Sequence, residues 1–382
     1  MSVIPEDVLL DVLSRLPAVS LVRFKCASKS WCALIDSSYL IQLHLKKSLN
    51  DIKSRKMLAV GKYHRRKEDN RVPVGFIFYV ISFDFGFKIA DVQEIKPPVQ
   101  HCNDRVSIIG SSRFLICLRY TFQKSCREKI VLWNPSIGSH RILPFTPVEI
   151  EALEARKYGH YTFSYGFGHD NVTDDHQVAR FVLDNYNGDY EVKVYSLKLD
   201  SWKKIENIPL ISIFRVSRPS FADGSMKWLV QDKQPNSTFS LLVLCLRTEV
   251  LRSVSLPEGF KMPRLVEFCS YCRCWTNWSV YRNCFSHDCD LWKSLGNENS
   301  DIWTKLRLPH SDADGGMVFS DIYQHLKESL PKNLHSESIK ISSGDTCCWV
   351  ESLVQVKRRS KKIRERASQA QVEKSKKYRS SL

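Results

Sequence analysis

At 382 residues the chain exceeds what most single hydrophobic cores span and suits two domains, one of them large. Its formal charge of +16 is uneven: residues 357 to 382 hold eleven Lys or Arg against Glu365 and Glu373, a net +9 that leaves only +7 for the other 356 residues. No apolar run reaches the length of a membrane span and the N-terminus lacks the blocks of a secretory leader, so no membrane contact and a cytoplasmic or nuclear location are expected.

The thirteen cysteines are then expected to be reduced thiols, and the sequons at Asn171, Asn236 and Asn277 carry no glycosylation signal in such a compartment. In chain order, residues 4 to 47 read as four short helices. Pro5 fits a first helical position, with Glu6 and Asp7 in the first turn where the helix dipole favours acids. Val8, Leu9, Val12, Leu13 and Leu16 share one face, and Pro17 stops the helix. In the next helix Val19, Val22 and Cys26 lie opposite Leu21 and Phe24. Ser28 can cap a third helix holding Trp31, Leu34 and Ile35, and Ser37 a fourth holding Leu40, Ile41, Leu43 and Leu45. So small a unit cannot bury this much apolar surface against itself. The surplus leans on the following domain or docks on another protein, and periodicity leaves both open.

Residues 48 to 72 are mainly polar and basic and read as linker and loop. From 73 to 356 short runs rich in Val, Ile, Phe and Tyr alternate with turn residues, the pattern of antiparallel strands. A repeat is visible in "VLWNPSIGSHRILP", "VKVYSLKLDSWKKI" and "LLVLCLRTEVLRSV", with a partial copy in "DIWTKLRLP". Its bulky positions, His140, Trp202, Leu251 and Trp303, are 62, 49 and 52 residues apart. A period near 50 built of strands suggests the blades of a kelch-like β-propeller. The fold class expected is therefore α+β in two parts: a small all-α unit, then a mainly antiparallel, β-propeller-like domain, then a basic tail from 357 to 382.

Few groups point to chemistry. Cys269, Cys272, Cys274, Cys284, His287 and Cys289 have spacings that could close a zinc site, but a complete RING is excluded and the run "VEFCSYCRCW" reads more simply as a strand bearing small thiols. His169, Asp170, Asp174, Asp175 and His176 suggest a carboxylate-rich site or, more simply, a polar hairpin turn. No nucleophile elbow, phosphate loop or dinucleotide fingerprint appears, so no catalytic residue, cofactor or metal is assigned. In the tail, Lys357, Arg358, Arg359, Lys361 and Lys362 form a nuclear-localisation candidate. Its single aromatic residue, Tyr378, offers little for base stacking, so nucleic acid is not the expected partner. The rival functions are a nucleic-acid binder acting through this tail and an enzyme built on the propeller.

The segment from Pro5 through Leu16, Pro17, Leu21, Arg23, Phe24, Lys25, Cys26, Ser28, Lys29 and Ser30 to Trp31 resembles the F-box. Through "LWNPS", "YGFGHD", "VKVYSLKLDSWKKI" and the late "ESLV", residues from about 100 to 354 resemble the F-box-associated domain of the large plant family that includes the S-locus F-box proteins. That resemblance implies a non-catalytic substrate receptor of a Skp–cullin–F-box ubiquitin ligase. Pro5, Leu9, Leu16, Pro17, Leu21, Cys26 and Trp31 would contact a Skp-type adaptor or shape the helices that do. A cullin would be reached through the adaptor, while the β domain would hold a protein target, a ribonuclease if the chain is of S-locus type. Val19 stands where the family usually has Lys, and Ser112, Arg113 and Phe114 replace its usual Cys-Asn-Gly turn.

Overall fold

The computed structural model describes residues 5–67, 70–83, 89–99, 105–121, 128–144, 161–222, 224–233, 239–256, 280–284, 288–294, 303–309, 338–340 and 346–356. The chain divides into two compact units, Met1–Leu143 with Pro257–Val356, and Pro144–Leu256 with Lys357–Leu382.

Helices open the first unit: α1 (Glu6–Leu13), α2 (Ala18–Phe24), α3 (Lys29–Ile35) and α4 (Ser38–Asn50). Pro5 occupies the cap position of α1, one residue before the first helical position expected of it. The Ser28 and Ser37 hydroxyls accept from the Trp31 and Leu40 amides at 3.1 and 3.2 Å, satisfying donors that open α3 and α4. Helices this short do not persist alone in water, so their stability comes from packing.

The expected linker from 48 to 72 is instead the end of α4, a short 3-10 turn at Ile52–Ser54, the strand β1 (Arg55–Lys67) and the start of β2 (Asn70–Phe83). Its basic residues suggested a solvated loop, but Met57, Leu58, Ala59 and Val60 form a continuous apolar run covered on both faces. Leu58 and Val60 join one core, Met57 and Ala59 another. β3 (Ile89–Ile95) extends this sheet beside β2.

Next in the chain are β4 (Arg105–Ser112), β5 (Leu115–Thr121), β6 (Glu128–Asn134) and β7 (Ser139–Ile142), an antiparallel meander. The second unit contains the meander β8 (Tyr161–Asp170), β9 (Asp175–Asp184), β10 (Tyr190–Ser196) and β11 (Ser201–Lys204). It also contains a sheet of β12 (Ile213–Val216), β13 (Ser220–Ala222), β14 (Ser225–Asp232), β15 (Phe239–Cys245) and β16 (Val250–Ser255). Phe181, Val192, Met226, Trp228 and Leu242 fill the core between these two sheets. Back in the first unit, β17 (Val280–Cys284), β18 (Asp288–Ser294) and β19 (Trp303–Pro309) form a further sheet, while β20 (Ser338–Lys340) and β21 (Thr346–Val350) pair with β1. The architecture is thus short N-terminal helices followed by a mainly antiparallel β domain of several sheets.

The sequence repeat marks the last hairpin of three of these sheets. Trp133 faces His140, Tyr195 faces Trp202, and Leu244 faces Leu251, each pair seven residues apart in the chain. Every one of these turns needs a left-handed residue, supplied by Gly138, Asp200 and Glu249. Trp303 begins β19, opposite Ser294. Of the thiol cluster, Cys269, Cys272, Cys274 and His287 lie outside the described residues; Cys284 and Cys289 are register partners on β17 and β18. Lys357, Arg358, Arg359, Lys361 and Lys362 also lie outside them.

Candidate docking site

The site is built around the break between α1 and α2. Pro17 cannot continue α1, and it sits at the cap position of α2 with extended backbone. His44 of α4, itself buried, lies with Nε2 3.0 Å from the Leu16 carbonyl and Nδ1 3.3 Å from the Ser48 hydroxyl, which pins the break. Leu13, Ala18, Leu21, Ile35 and Leu40 bury completely or nearly so. Asp11 meets both Arg15 and Lys47, and hydrogen bonding from Lys47 and then Arg15 holds its carboxyl below the ordinary range.

A residue from the far end of the chain completes this small core. Leu353 packs among Leu13, Leu21 and Leu40, with Ile137 partly buried beside it. It is carried there by an irregular strap, residues 351–356, which follows β21. Asn134 donates through Nδ2 to the carbonyls of Ser352 and Val354, both at 2.9 Å, and the Ser136 hydroxyl accepts from the Ser352 amide at 3.3 Å. Ser139 accepts from the Val356 amide at 2.9 Å. Glu351 faces Lys56 at 3.8 Å and accepts from the Ala18 backbone at the start of α2. Burial raises its carboxyl above the usual range, against the lowering effect of Lys56 and Ala18.

With the strap in place the helices still present apolar side chains outward. Val8 is 48%, Val12 50%, Val19 44%, Phe24 39% and Tyr39 64% exposed. Val8 and Val12 are one turn apart on α1 and so share a ridge. Among the residues singled out by sequence, Pro5, Pro17 and Cys26 are exposed and Leu9, Leu16 and Trp31 half-buried. Leu21 is enclosed by the helices' own core and shapes them from inside. Trp31 meets Phe24 edge to face, ring centroids 5.7 Å apart. Sequence reasoning missed Glu351 and Leu353 as partners of the helices. The only signal was the late "ESLV" motif, over 200 residues from the "LWNPS" motif that grips it.

The acidic and histidine cluster of the second unit forms the β8–β9 turn. Asp170 accepts from the amides of Val172 and Thr173 and from the Thr173 hydroxyl. His169 Nε2 lies 3.0 Å from Asp174, and its ring meets that of His176 at 4.5 Å. Asp175 is held by the Ser196 hydroxyl and the Lys198 amide. These groups are spent on turn geometry. Among the described residues no three His, Cys, Asp or Glu side chains are grouped to hold a metal ion, and no helix is long and apolar enough to cross a membrane.

Residues 1–43 match the F-box domain, and residues 78–319 match the F-box associated beta propeller domain. The chain belongs to the F-box-associated family of F-box proteins. Its relatives in Arabidopsis thaliana include F-box protein CPR1, 28% identical over 68% of this chain and 61% of that protein. F-box/kelch-repeat protein At3g23880 is 24% identical over 59% of this chain and 58% of its own length. Putative F-box protein At3g21130 is 24% identical over 92% of this chain and 96% of the relative. The chain thus spans about three fifths of the length of the first two. In this F-box protein the matched helices are those that expose Val8, Val12 and Val19.

Proposed function

We propose that this F-box protein is the substrate receptor of a Skp–cullin–F-box ubiquitin ligase, joined to a Skp-type adaptor by α1 and α2 and to a target protein by the β domain. One observation carries the reading: the F-box fills its core from its own residues and Leu353, yet keeps Val8, Val12, Val19 and Phe24 outside it. Scattered exposed apolar residues are ordinary, but several on neighbouring short helices are what a partner helix can cover. On this reading Pro5, Leu9, Leu16, Pro17 and Cys26 would contribute to adaptor contact, while Leu21, enclosed in the helices' core, and Trp31, half-buried against it, would shape the helices that make it. The receptor would make no bonds itself. It would hold a target beside the ubiquitin-charged enzyme and raise the local concentration of its lysines, leading to ubiquitination and degradation.

The test is capture of a purified Skp-type adaptor. Val12→Asp with Val19→Asp is expected to weaken capture more than tenfold while leaving the melting temperature within a few degrees, because both positions are about half exposed and lie outside the buried core. Leu21→Asp should instead unfold the helices, since it buries a charge. Undiminished capture by the double variant removes this surface from the reading.

A further inference from the structure

At one end of the second unit, the β9–β10 turn and the segment that enters β12 are braced into a single platform. Asp184 closes the turn by accepting from the Tyr186 amide at 2.8 Å. Gly188 in that turn holds φ at 81°, and a Cβ on it would meet Ser212 Oγ at 2.3 Å, so the two segments approach closely. The Ile213 amide donates to the Gly188 carbonyl at 2.9 Å, and the Ser212 hydroxyl to the Asn187 carbonyl at 3.1 Å. Lys233, just after β14, donates its amide to the Ser212 carbonyl and its ammonium to the Tyr186 carbonyl. Tyr190, stacked on Phe181 in the core, donates its hydroxyl to the Pro209 carbonyl at 2.6 Å.

What this platform holds in water is apolar. Leu210 is fully exposed, Tyr186 63% and Phe214 48%, and each stands within two residues of a braced position. Phe214 is the extra residue of a bulge: Ile213 faces Asp232 while Arg215 faces Gln231. It has no ladder partner, and its ring stays outside while Ile213 enters the core. Single exposed apolar residues are ordinary, but three large ones on one cross-braced surface are not scattered. Leu210 gains nothing from folding, since its surface stays in water.

Two cations give the surface its charge preference. Arg215 lies over the Phe214 ring, 5.2 Å from its centroid, and Lys233 rests on a carbonyl; neither meets a carboxylate among the described residues. The nearby acids are committed elsewhere. Asp184 is spent on the turn amides, and Asp232 is half-buried and partnered. Asp189, beside the inward-facing Tyr190, alternates to the other face of its sheet.

We propose that this platform seats an apolar, acidic segment of the target protein, with large side chains against Tyr186, Leu210 and Phe214 and a carboxylate at Arg215 and Lys233. Aromatic residues and Arg dominate binding energy at protein interfaces, and a surface braced before binding loses little entropy. The inference rests on the receptor reading in one respect, that the segment belongs to a target.

The experiment uses the full chain and three labelled peptides: Leu and Phe alternating with Glu, the same with Lys for Glu, and Ser alternating with Glu. The wild type is expected to bind the first at least tenfold more tightly than the second. Leu210→Ser with Phe214→Ser should weaken the first about tenfold while leaving its melting temperature within a few degrees. That variant should bind the Ser–Glu peptide as the wild type does, since the basic tail is common to both. Arg215→Gln should weaken the first severalfold. Val172→Ser with Val250→Ser, exposed in other turns of the same unit, should change nothing. No preference by the wild type, undiminished binding by the Leu210 and Phe214 variant, or equal loss in the Val172 and Val250 control overturns the proposal. So does dimerisation of the wild type that the Leu210 and Phe214 variant abolishes, which would make a second copy the occupant. Failure of the wild type to capture the adaptor overturns the receptor reading alone, because the peptide measurement does not use the adaptor.

Discussion

Arg113 holds φ at 54° in the turn between β4 and β5, and Glu249 holds 55° between β15 and β16. For residues other than Gly, Asn or Asp that conformation costs about 1–2 kcal/mol. Arg113→Gly and Glu249→Gly are therefore each expected to raise stability by about 1 kcal/mol in denaturant unfolding. A loss at Arg113 would mean that its side-chain contacts outweigh the backbone relief. His44 works in the opposite sense, as a stabilising group that acid removes. Burial depresses its pKa below 6.5, with the Leu16 carbonyl acting against that. A depressed folded value means that the neutral ring is favoured in the fold. Its contribution is full above the unfolded value near 6.5 and is lost as pH falls through the folded one. Circular dichroism should thus show the helices weakening below about pH 6.5. His44→Gln, which keeps a donor for Leu16, should flatten that acid limb.

At the level of elements, what could be read in the sequence was whatever depends on neighbours in the chain. Pro17, Ser28 and Ser37 mark helix boundaries because capping is local, and all four helices follow from them. The repeat was legible because each copy is one hairpin, with Gly138, Asp200 or Glu249 meeting the same left-handed demand. β1 escaped because composition was averaged over 48 to 72, and the basic residues of that span outweighed the four buried residues that make it a strand. The candidate docking surface was half legible. Periodicity gave the apolar ridges of α1 and α2, but which residues end inside depends on Leu353, and no local pattern announces a contact made across most of the chain. Leu21 shows the consequence, since a position that reads as part of a docking motif is enclosed. The "LWNPS" motif likewise has a structural reason: Asn134 and Ser136 are the clamp for the strap.

For the whole molecule, that strap makes the F-box and its neighbouring sheets one folding problem. The helices alone offer five well-buried apolar side chains, little for a unit of their size. Leu353 adds a sixth, and burying a leucine is worth about 1.5–3 kcal/mol, comparable to the entire stability of a marginal domain. Glu351 adds a hydrogen bond to the otherwise open start of α2. Ending the chain after Val356 removes only the basic tail, whereas ending it after Val350 removes the strap as well. The first truncation is expected to melt and to capture adaptor like the full chain. In the second, helical signal should be lost at a lower temperature than β signal, and adaptor capture should fall with it, because the exposed ridge of α1 and α2 is presented only while their core is closed. Restoring the strap as a separate peptide should have little effect, since the loop-closure advantage of the covalent chain is gone. Identical melting and capture by the two truncations would mean that the helices stand without the strap, and the coupling between the C-terminal segment and the F-box would have to be abandoned.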